Sequence, residues 1–263
     1  MTGIFLKRFF ASGVIGIALI QPAVAGLNAA EPVLSVDESK TPDGKAIVER
    51  FIEVTGGKER YSAVKTQTTK ASMQISALQI TIDLAIYQAG KGKMLAEIDM
   101  KQVGTTRRGV SGDVAWEVSS IQGVRILEGT EAASMLEKSD LQSAGDPSKY
   151  FKSMERTGTK EIGGETCYEV TLTKRIGQPE KRYYSAKTGL MVATVATQET
   201  PMGEIEVETE ISDYRDAGGL KVPFRIVQKM QGLTQEMKIQ SVEFNKPIDD
   251  RKFTLPDEVK ALQ

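Results

Sequence analysis

Three acidic side chains are the first candidates for catalytic chemistry, because they lie close together in the sequence. Asp83 follows Ile82, and Glu97 and Asp99 alternate with apolar residues between Met94 and Met100. Two carboxylates on either side of a bound substrate can act as general acid and general base. The alternation places these three on the polar face of strands, where solvated charges are the better interpretation. We therefore predict no catalytic residue here.

The residue types that most often activate nucleophiles or hold metals are missing or isolated. The chain has no histidine, which excludes Ser-His-Asp and Cys-His nucleophiles and histidine-based zinc sites. Its single cysteine, Cys167, cannot form an internal disulfide. We expect no metal, no cofactor and no enzymatic activity. An enzyme that uses carboxylates alone is the one catalytic alternative.

Two doublets of polar side chains have possible ligand-binding roles. Arg107 and Arg108, near the rim of a strand, are placed to meet an anionic headgroup, although solvated edge charges are the better interpretation. Tyr183 and Tyr184 resemble a stacking platform, but an isolated aromatic pair without a basic stripe is weak evidence for nucleic acid. The net charge of −1, with acids and bases interspersed, favours neither nucleic acid nor an anionic membrane.

The elements that position these side chains are mostly strands. Between Glu204 and Phe244, three segments alternate apolar and charged residues and are joined by turns that contain glycine. A period of two indicates strands with one buried face, and the short turns make them antiparallel. Pro223 indicates a bulge or an edge strand. A change of phase between Ile239 and Val242 indicates a second bulge.

Three helices are predicted beside the strands. The sequence Thr41-Pro42-Asp43 is typical of a capped helix start, and it precedes a one-sided apolar stripe. A central helix is predicted over residues 130–138, and a second begins at Asp146-Pro147 and carries Tyr150, Phe151 and Met154.

The fold class is therefore mainly β (α+β): a curved antiparallel sheet of about eleven strands that forms an incomplete barrel, with an N-terminal helix and two central helices as a lid. The short helices offer fewer apolar side chains than the sheet turns inward, which predicts an apolar cavity for a greasy ligand. Methionine is frequent on this inner face; it suits variable acyl chains, and it also fills irregular gaps in ordinary cores. The predicted cavity lining consists of Phe51, Ile82, Leu84, Met94, Ile98, Met100, Trp116, Met135, Leu136, Val207, Phe224, Ile226 and Met237.

The N-terminus predicts export. Residues 1–25 form a secretory signal, with Lys7 and Arg8, an apolar stretch and the cleavage site Ala23-Val24-Ala25. The stretch is shorter than the roughly 20 residues that a spanning helix needs. We predict a flexible lead over residues 26–40, a single domain over 41–263, and a bacterial periplasmic or secreted protein that is not integral to the membrane.

Several local phrases, together with the order of segments, resemble the bacterial outer-membrane lipoprotein-sorting superfamily, with its LolA/LolB-like fold. The phrases are FIEVTGGKERYSAVKT, GDVAWEVSSIQGVRILEG, YYSAKTGLMV, ISDYRDAGGLKVPFRIV and FTLPDEV, and they span most of the chain. The resemblance implies an incomplete antiparallel barrel with a helical lid, whose cavity holds acyl chains of lipoproteins or related lipids. It implies no enzyme and no cofactor, and no catalytic residue is carried over.

Two hypotheses of function follow. The first is a soluble periplasmic carrier that binds lipid or lipoprotein acyl chains, with lid helices that open for exchange. The alternative is a non-enzymatic interaction module that docks a cell-envelope protein and fills its core with its own side chains. A mobile lid and an exposed apolar rim favour the carrier, whereas a dense, closed core favours the module.

Overall fold

A computed structural model describes residues 42–101, 103–200 and 203–263. Within them the chain forms four α-helices, α1 Gly44–Val54, α2 Lys58–Ser62, α3 Gly129–Ser139 and α4 Asp257–Lys260. The thirteen strands are β1 Thr66–Ile75, β2 Ile80–Ala89, β3 Lys93–Met100, β4 Gly104–Ser111, β5 Val114–Ser119, β6 Gly123–Ile126, β7 Phe151–Ile162, β8 Glu165–Lys174, β9 Glu180–Ser185, β10 Met191–Thr200, β11 Gly203–Ala217, β12 Leu220–Met230 and β13 Leu233–Phe244.

All thirteen strands belong to one antiparallel sheet, in the order β6-β5-β4-β3-β2-β1-β13-β12-β11-β10-β9-β8-β7. Two meanders, β1–β6 and β7–β13, are joined where β1 pairs with β13. The sheet is curved and not closed, with β6 and β7 as its edges. The predicted incomplete barrel is confirmed, with thirteen strands in place of about eleven. Short strands such as β6, with four residues, offer too few alternations to be counted from the sequence.

The N-terminal helix forms directly after the predicted start signal. Asp43 is the N-cap, and its Oδ1 accepts a hydrogen bond from the Ala46 backbone amide at 2.7 Å. Helix α1 packs on β7, where a Cβ at Gly44 would lie 2.5 Å from the Met154 carbonyl oxygen. Glycine at this position therefore allows the helix to approach the backbone of the edge strand.

The second central helix is shorter than predicted. Only a 3-10 turn, Pro147–Lys149, follows Asp146, and Phe151 and Met154 belong to strand β7. The apolar pair at Tyr150 and Phe151 continues into an alternating strand and not into a helical stripe. The lid thus contains one central α-helix, α3.

Of the two predicted irregularities, one has the expected form. The register of β1 against β13 shifts because Lys70 pairs with Ser241 while Ala71 pairs with Ile239. This bulge lies within the interval where the phase changes in the sequence. Pro223, in contrast, lies in the interior strand β12 and pairs with Tyr214 without a register shift. The neighbouring Asp213 has a left-handed backbone, with φ 57°.

The predicted signal, the flexible lead and Thr41 lie outside the described residues. Within the described residues, no helix has the length and apolar character needed to cross a membrane.

Candidate functional site

Ten of the thirteen predicted lining residues come together in one apolar cluster on the inner face of the sheet. They are Ile82, Leu84, Met94, Ile98, Met100, Met135, Leu136, Phe224, Ile226 and Met237. We call this the methionine cluster, because Met73, Met94, Met100, Met135 and Met237 are all buried in it. Its strands are β1–β5, β12 and β13, and α3 covers it.

Trp116 lies on the other face of the sheet, contrary to prediction. It packs against Leu95 and Val259, under the C-terminal helix α4, and its Nε1 donates to Ser111 Oγ at 3.1 Å. Gly109 lies opposite on β4, where a Cβ would be 2.5 Å from the indole ring. The inner-face residue on this strand is Ala115. The apolar face of β5, which holds Trp116 and Val118, turns toward the C-terminal segment. Glu117 and Ser119 share the inner face with Ala115, so alternation alone indicated the wrong side.

Two further predicted residues pack elsewhere. Phe51 lies on α1, is partly buried, and packs in a second cluster between this helix and the sheet, with its ring 5.6 Å from that of Tyr184. Val207 packs with Ile205 and Met230 in a small separate cluster. Neither residue belongs to the methionine cluster.

The methionine cluster is closed in this structure. Its buried members are at most 5% exposed, and Ile82, Met94 and Val110 are fully buried. Helix α3 contributes three apolar side chains, Ala132, Met135 and Leu136, of which Met135 alone is fully buried. One amphipathic helix is therefore the cover on this side of the cluster.

Ion pairs fix the first turn of α3 to the edge of the sheet. Glu131 pairs with Arg125 of β6, with Nη1 2.8 Å from Oε2, and with Arg108 of β4. Glu117 of β5 also pairs with both arginines, at 2.8 Å from Arg108 and 3.0 Å from Arg125. The four side chains form a compact network at one end of the helix.

The last turn of α3 is attached to strands from both meanders. Gln88 Nε2 donates to the Lys138 carbonyl at 2.7 Å, and the Gly92 amide donates to Ser139 Oγ at 3.3 Å. Glu137 reaches Lys174 of β8 at 3.8 Å. Helix α3 therefore spans the hollow from one half of the curved sheet to the other.

A charged network that the sequence analysis did not identify lies beside this end of α3. It consists of Glu137, Lys174, Glu180 and Arg182. Glu180 Oε1 accepts from Arg182 Nε at 2.7 Å, and its Oε2 lies 3.0 Å from Lys174 Nζ. Glu180 and Arg182 alternate with Lys181 and Tyr183 on β9, so the phase of this strand was the available signal. Charged residues at inward positions interrupt the apolar alternation by which an inner face is recognised, so the sequence pattern did not predict this network.

The pKa values of these groups reflect burial and charge together. Burial disfavours the ionised form of Glu180, but Arg182 and Lys174 outweigh it and lower the pKa of Glu180 to about 2. Burial, with Lys174 opposing it, raises the pKa of Glu137. Burial and the like charges of Lys174 and Arg108 lower the pKa of Lys138 to about 8.

The two polar doublets that the sequence offered as ligand-binding candidates make contacts within the protein. Arg107 pairs with Glu258 at 2.7 Å on the outer face, whereas Arg108 belongs to the network at α3. Tyr183 and Tyr184 lie in different clusters on opposite faces, which rules out a joint stacking platform.

The three acidic candidates and the cysteine are also accounted for. Asp83 and Asp99 both pair with Lys101, and Glu97 pairs with Lys252 at 3.2 Å. Cys167 is fully buried, and burial raises the pKa of its thiol to about 11. This thiol is unreactive at neutral pH.

Two solved structures are similar to this one over most of the chain. A DUF1329 family protein from Desulfovibrio piger matches with a TM-score of 0.56 at 13% identity, covering 85% of this chain and 100% of its own. A LolA superfamily protein from Nitrosomonas europaea matches with a TM-score of 0.56 at 12% identity, covering 82% of this chain and 99% of its own. This chain has a divergent LolA-like fold.

The LolA-like fold agrees with the resemblance that the local phrases carried. At identities this low, the likeness concerns the fold and not the ligand. No protein-family model matches the sequence, and comparison with curated protein sequences finds no match.

Proposed function

We propose that this protein binds the acyl chains of lipids or lipoproteins between α3 and the inner face of its LolA-like sheet, as a non-enzymatic carrier of the bacterial periplasm. The observation that carries the proposal is the methionine cluster, whose cover is one helix with three apolar side chains. The predicted signal over residues 1–25 and the single domain over residues 41–263 belong to the same proposal.

The energetics favour exchange of the cover for a ligand. Full burial of a methionine or leucine side chain stabilises by about 1.5 to 3 kcal/mol, so Met135 and the partly buried Leu136 together contribute at most about 3 to 6 kcal/mol to the closed state. An acyl chain gains about 0.8 kcal/mol for each methylene that it buries. Roughly four to eight methylenes therefore offset the loss of both contacts when α3 moves away from the sheet.

Methionine would make the inner face of the sheet adaptable once α3 has moved away. Its side chain is unbranched, flexible and polarizable, so it can repack against chains of different length. Five methionines in one cluster would permit modest selectivity between acyl chains.

The test is to purify the protein, expressed with its own N-terminus, from a bacterial periplasm without detergent and to analyse an organic extract by mass spectrometry. About one acyl lipid per chain supports the carrier. The paired variants are Ile98→Glu, in the methionine cluster, and Ile162→Glu, which lies outside that cluster beside Cys167 and Tyr183. Loss of lipid from folded Ile98→Glu, with lipid retained by folded Ile162→Glu, places the ligand on the inner face.

A second candidate function is the interaction module with a self-filled core. The observation that favours it is the close packing of the methionine cluster, whose buried members are at most 5% exposed. An empty extract, together with no binding of a fluorescent fatty acid by the purified protein, would favour this candidate over the carrier.

A further inference from the structure

Lys138 forms no salt bridge among the described residues, although it lies in the last turn of α3 next to Glu137, which reaches Lys174 of β8. The charges that act on its ammonium group are the cations Lys174 and Arg108 and the anions Glu137 and Glu180. Lys138 follows Met135 by three positions, so both lie on one side of α3. A cation thus lies beside the methionine cluster without a matching anion.

The local charges leave an excess of one positive charge. Lys138, Lys174 and Arg182 are opposed by Glu137 and Glu180 alone. Glu180 is engaged by both Lys174 and Arg182 at 3.0 Å or less. Glu137 is the weak partner, 3.8 Å from Lys174, and burial raises its pKa. An incoming anion would neutralise Lys138 and replace Glu137 at Lys174.

We propose that Lys138 and Lys174 bind the anionic headgroup, a carboxylate or phosphate, of an amphiphile whose acyl chain occupies the methionine cluster. This rests on the proposed function and names its ligand class. The buried hydroxyl of Tyr184, beside Arg182, makes no hydrogen bond of ordinary geometry within the described part of the chain, and it is a further donor for such a group. Charge-assisted hydrogen bonds from ammonium groups are the strong kind in a partly desolvated site.

The experiment measures competition with a fluorescent monoacylglycerol, a neutral probe. The competitors are palmitate and palmitoyl lysophosphatidate, each compared with a neutral counterpart, methyl palmitate and monopalmitin. We expect both anions to bind roughly tenfold or more tightly than their neutral counterparts. The larger of the two preferences distinguishes a free fatty acid from a phospholipid headgroup.

Two variants should change this preference in opposite directions. Lys138→Gln should abolish it, so that each anion and its neutral counterpart displace the probe equally. Glu137→Gln should increase it, because the competing carboxylate is removed from Lys174. The matched control is Lys45→Gln, an exposed lysine on helix α1. Circular dichroism of each variant establishes that it is folded.

The competition experiment distinguishes failure of the headgroup site from failure of acyl-chain binding. Equal binding of anionic and neutral compounds by the unmodified protein, or an anion preference that survives Lys138→Gln, would overturn the headgroup site and leave acyl-chain binding intact. If none of the four compounds displaces the probe and the probe itself does not bind, both proposals are overturned.

Discussion

Charges inside the barrel are the least expected residues of this protein. Glu180 and Arg182 are each 9% exposed, and they share their face of β9 with the fully buried Tyr184. Burying an ion is costly unless a partner compensates for it, and removal of one partner leaves the other charge uncompensated. The network therefore has consequences for stability that each residue alone would not show.

Glu180→Gln should lower the free energy of unfolding by about 3 to 5 kcal/mol at pH 7, since Lys174 and Arg182 lose their shared anion. The pKa of Glu180 is lowered to about 2 from 4.5. A lowered carboxyl pKa stabilises the folded state above the unfolded pKa, and this contribution is lost as pH falls from about 4.5 to 2.

Urea unfolding of both proteins at several pH values checks this. The difference in stability between wild type and Glu180→Gln should shrink as the pH falls from 5 to 2. A difference that does not depend on pH would contradict the assignment.

Lys138→Gln should have the opposite effect on the unliganded protein. The pKa of Lys138 is lowered to about 8 from 10.5, so the charged form is disfavoured in the folded state. A neutral side chain removes this penalty, and we expect about 1 to 3 kcal/mol of added stability at pH 7. Urea unfolding measures it, and the gain should vanish near pH 10.5, where the lysine is neutral in the wild type as well. Lower stability of the variant at pH 7 would contradict the prediction.

At the scale of elements, the proposed function depends on how helix α3 is attached to the sheet. Its first turn is held by Glu131 between Arg108 and Arg125, and its last turn by Gln88 and Gly92. The helix buries few apolar side chains for its length. Its position therefore depends on polar contacts at both ends, which are easier to exchange than a packed core.

Glu131→Gln should speed the uptake of a fluorescent fatty acid about three- to tenfold, because each tenfold corresponds to about 1.4 kcal/mol of weakened attachment. Stopped-flow fluorescence measures the rate. The control is Glu49→Gln on α1, where an exposed glutamate pairs with Lys58 at 3.7 Å. Equal rates in wild type and Glu131→Gln would mean that α3 is not the element that opens.

The C-terminal segment is a second cover, on the outer face. Phe253 and Val259 are buried, and the Phe253 carbonyl accepts from Ser111 Oγ at 2.8 Å. It encloses Trp116 and Leu95. This cover is separate from the inner face, so its disruption should affect stability and not binding.

Trp116→Ala should destabilise the protein by about 3 to 5 kcal/mol through loss of a buried aromatic side chain. In the fraction that remains folded, the affinity for a fatty acid should be unchanged, since the indole lies outside the methionine cluster. Thermal unfolding and fatty-acid titration check the two parts. Reduced affinity in folded Trp116→Ala would indicate that a change on the outer face of the sheet alters ligand binding on the inner face.

For the whole molecule, the central feature is one sheet that continues through both meanders. The pairing of β1 with β13 joins them, and α3 bridges the hollow between β4 and β8. The interior has an aliphatic part, rich in methionine, and an aromatic part beneath α1 that includes Tyr184 and Phe151. A ligand in the hollow would stabilise both halves together.

A bound fatty acid should therefore raise the Tm of one cooperative transition. Ligand at 100 times its Kd adds about 2.7 kcal/mol, and each kcal/mol moves Tm by about 2 to 4 °C at this size. We expect a rise of about 5 to 10 °C in calorimetry with palmitate, and none with acetate, which lacks the acyl chain. A second transition that does not move would show that the meanders unfold separately.

The sequence alone determined the class of fold and most of the inner face. Alternation with a period of two groups residues by face, so Ile82, Leu84, Met94, Ile98 and Met100 were correctly assigned to one cluster. The bulge near Ile239 was visible for the same reason, as a change of phase. These features are local, and local periodicity carries them.

Tertiary structure decided what periodicity leaves open. The apolar face of β5 holds Trp116 and Val118, and it turns outward because the C-terminal segment covers it, whereas Glu117 lies on the inner face; alternation alone could not show this. The charged network combines Glu137 of α3 with Lys174 of β8 and Glu180 of β9. These residues meet only because the sheet curves until α3 can reach across it, and that curvature is the sum of small twists over many strands.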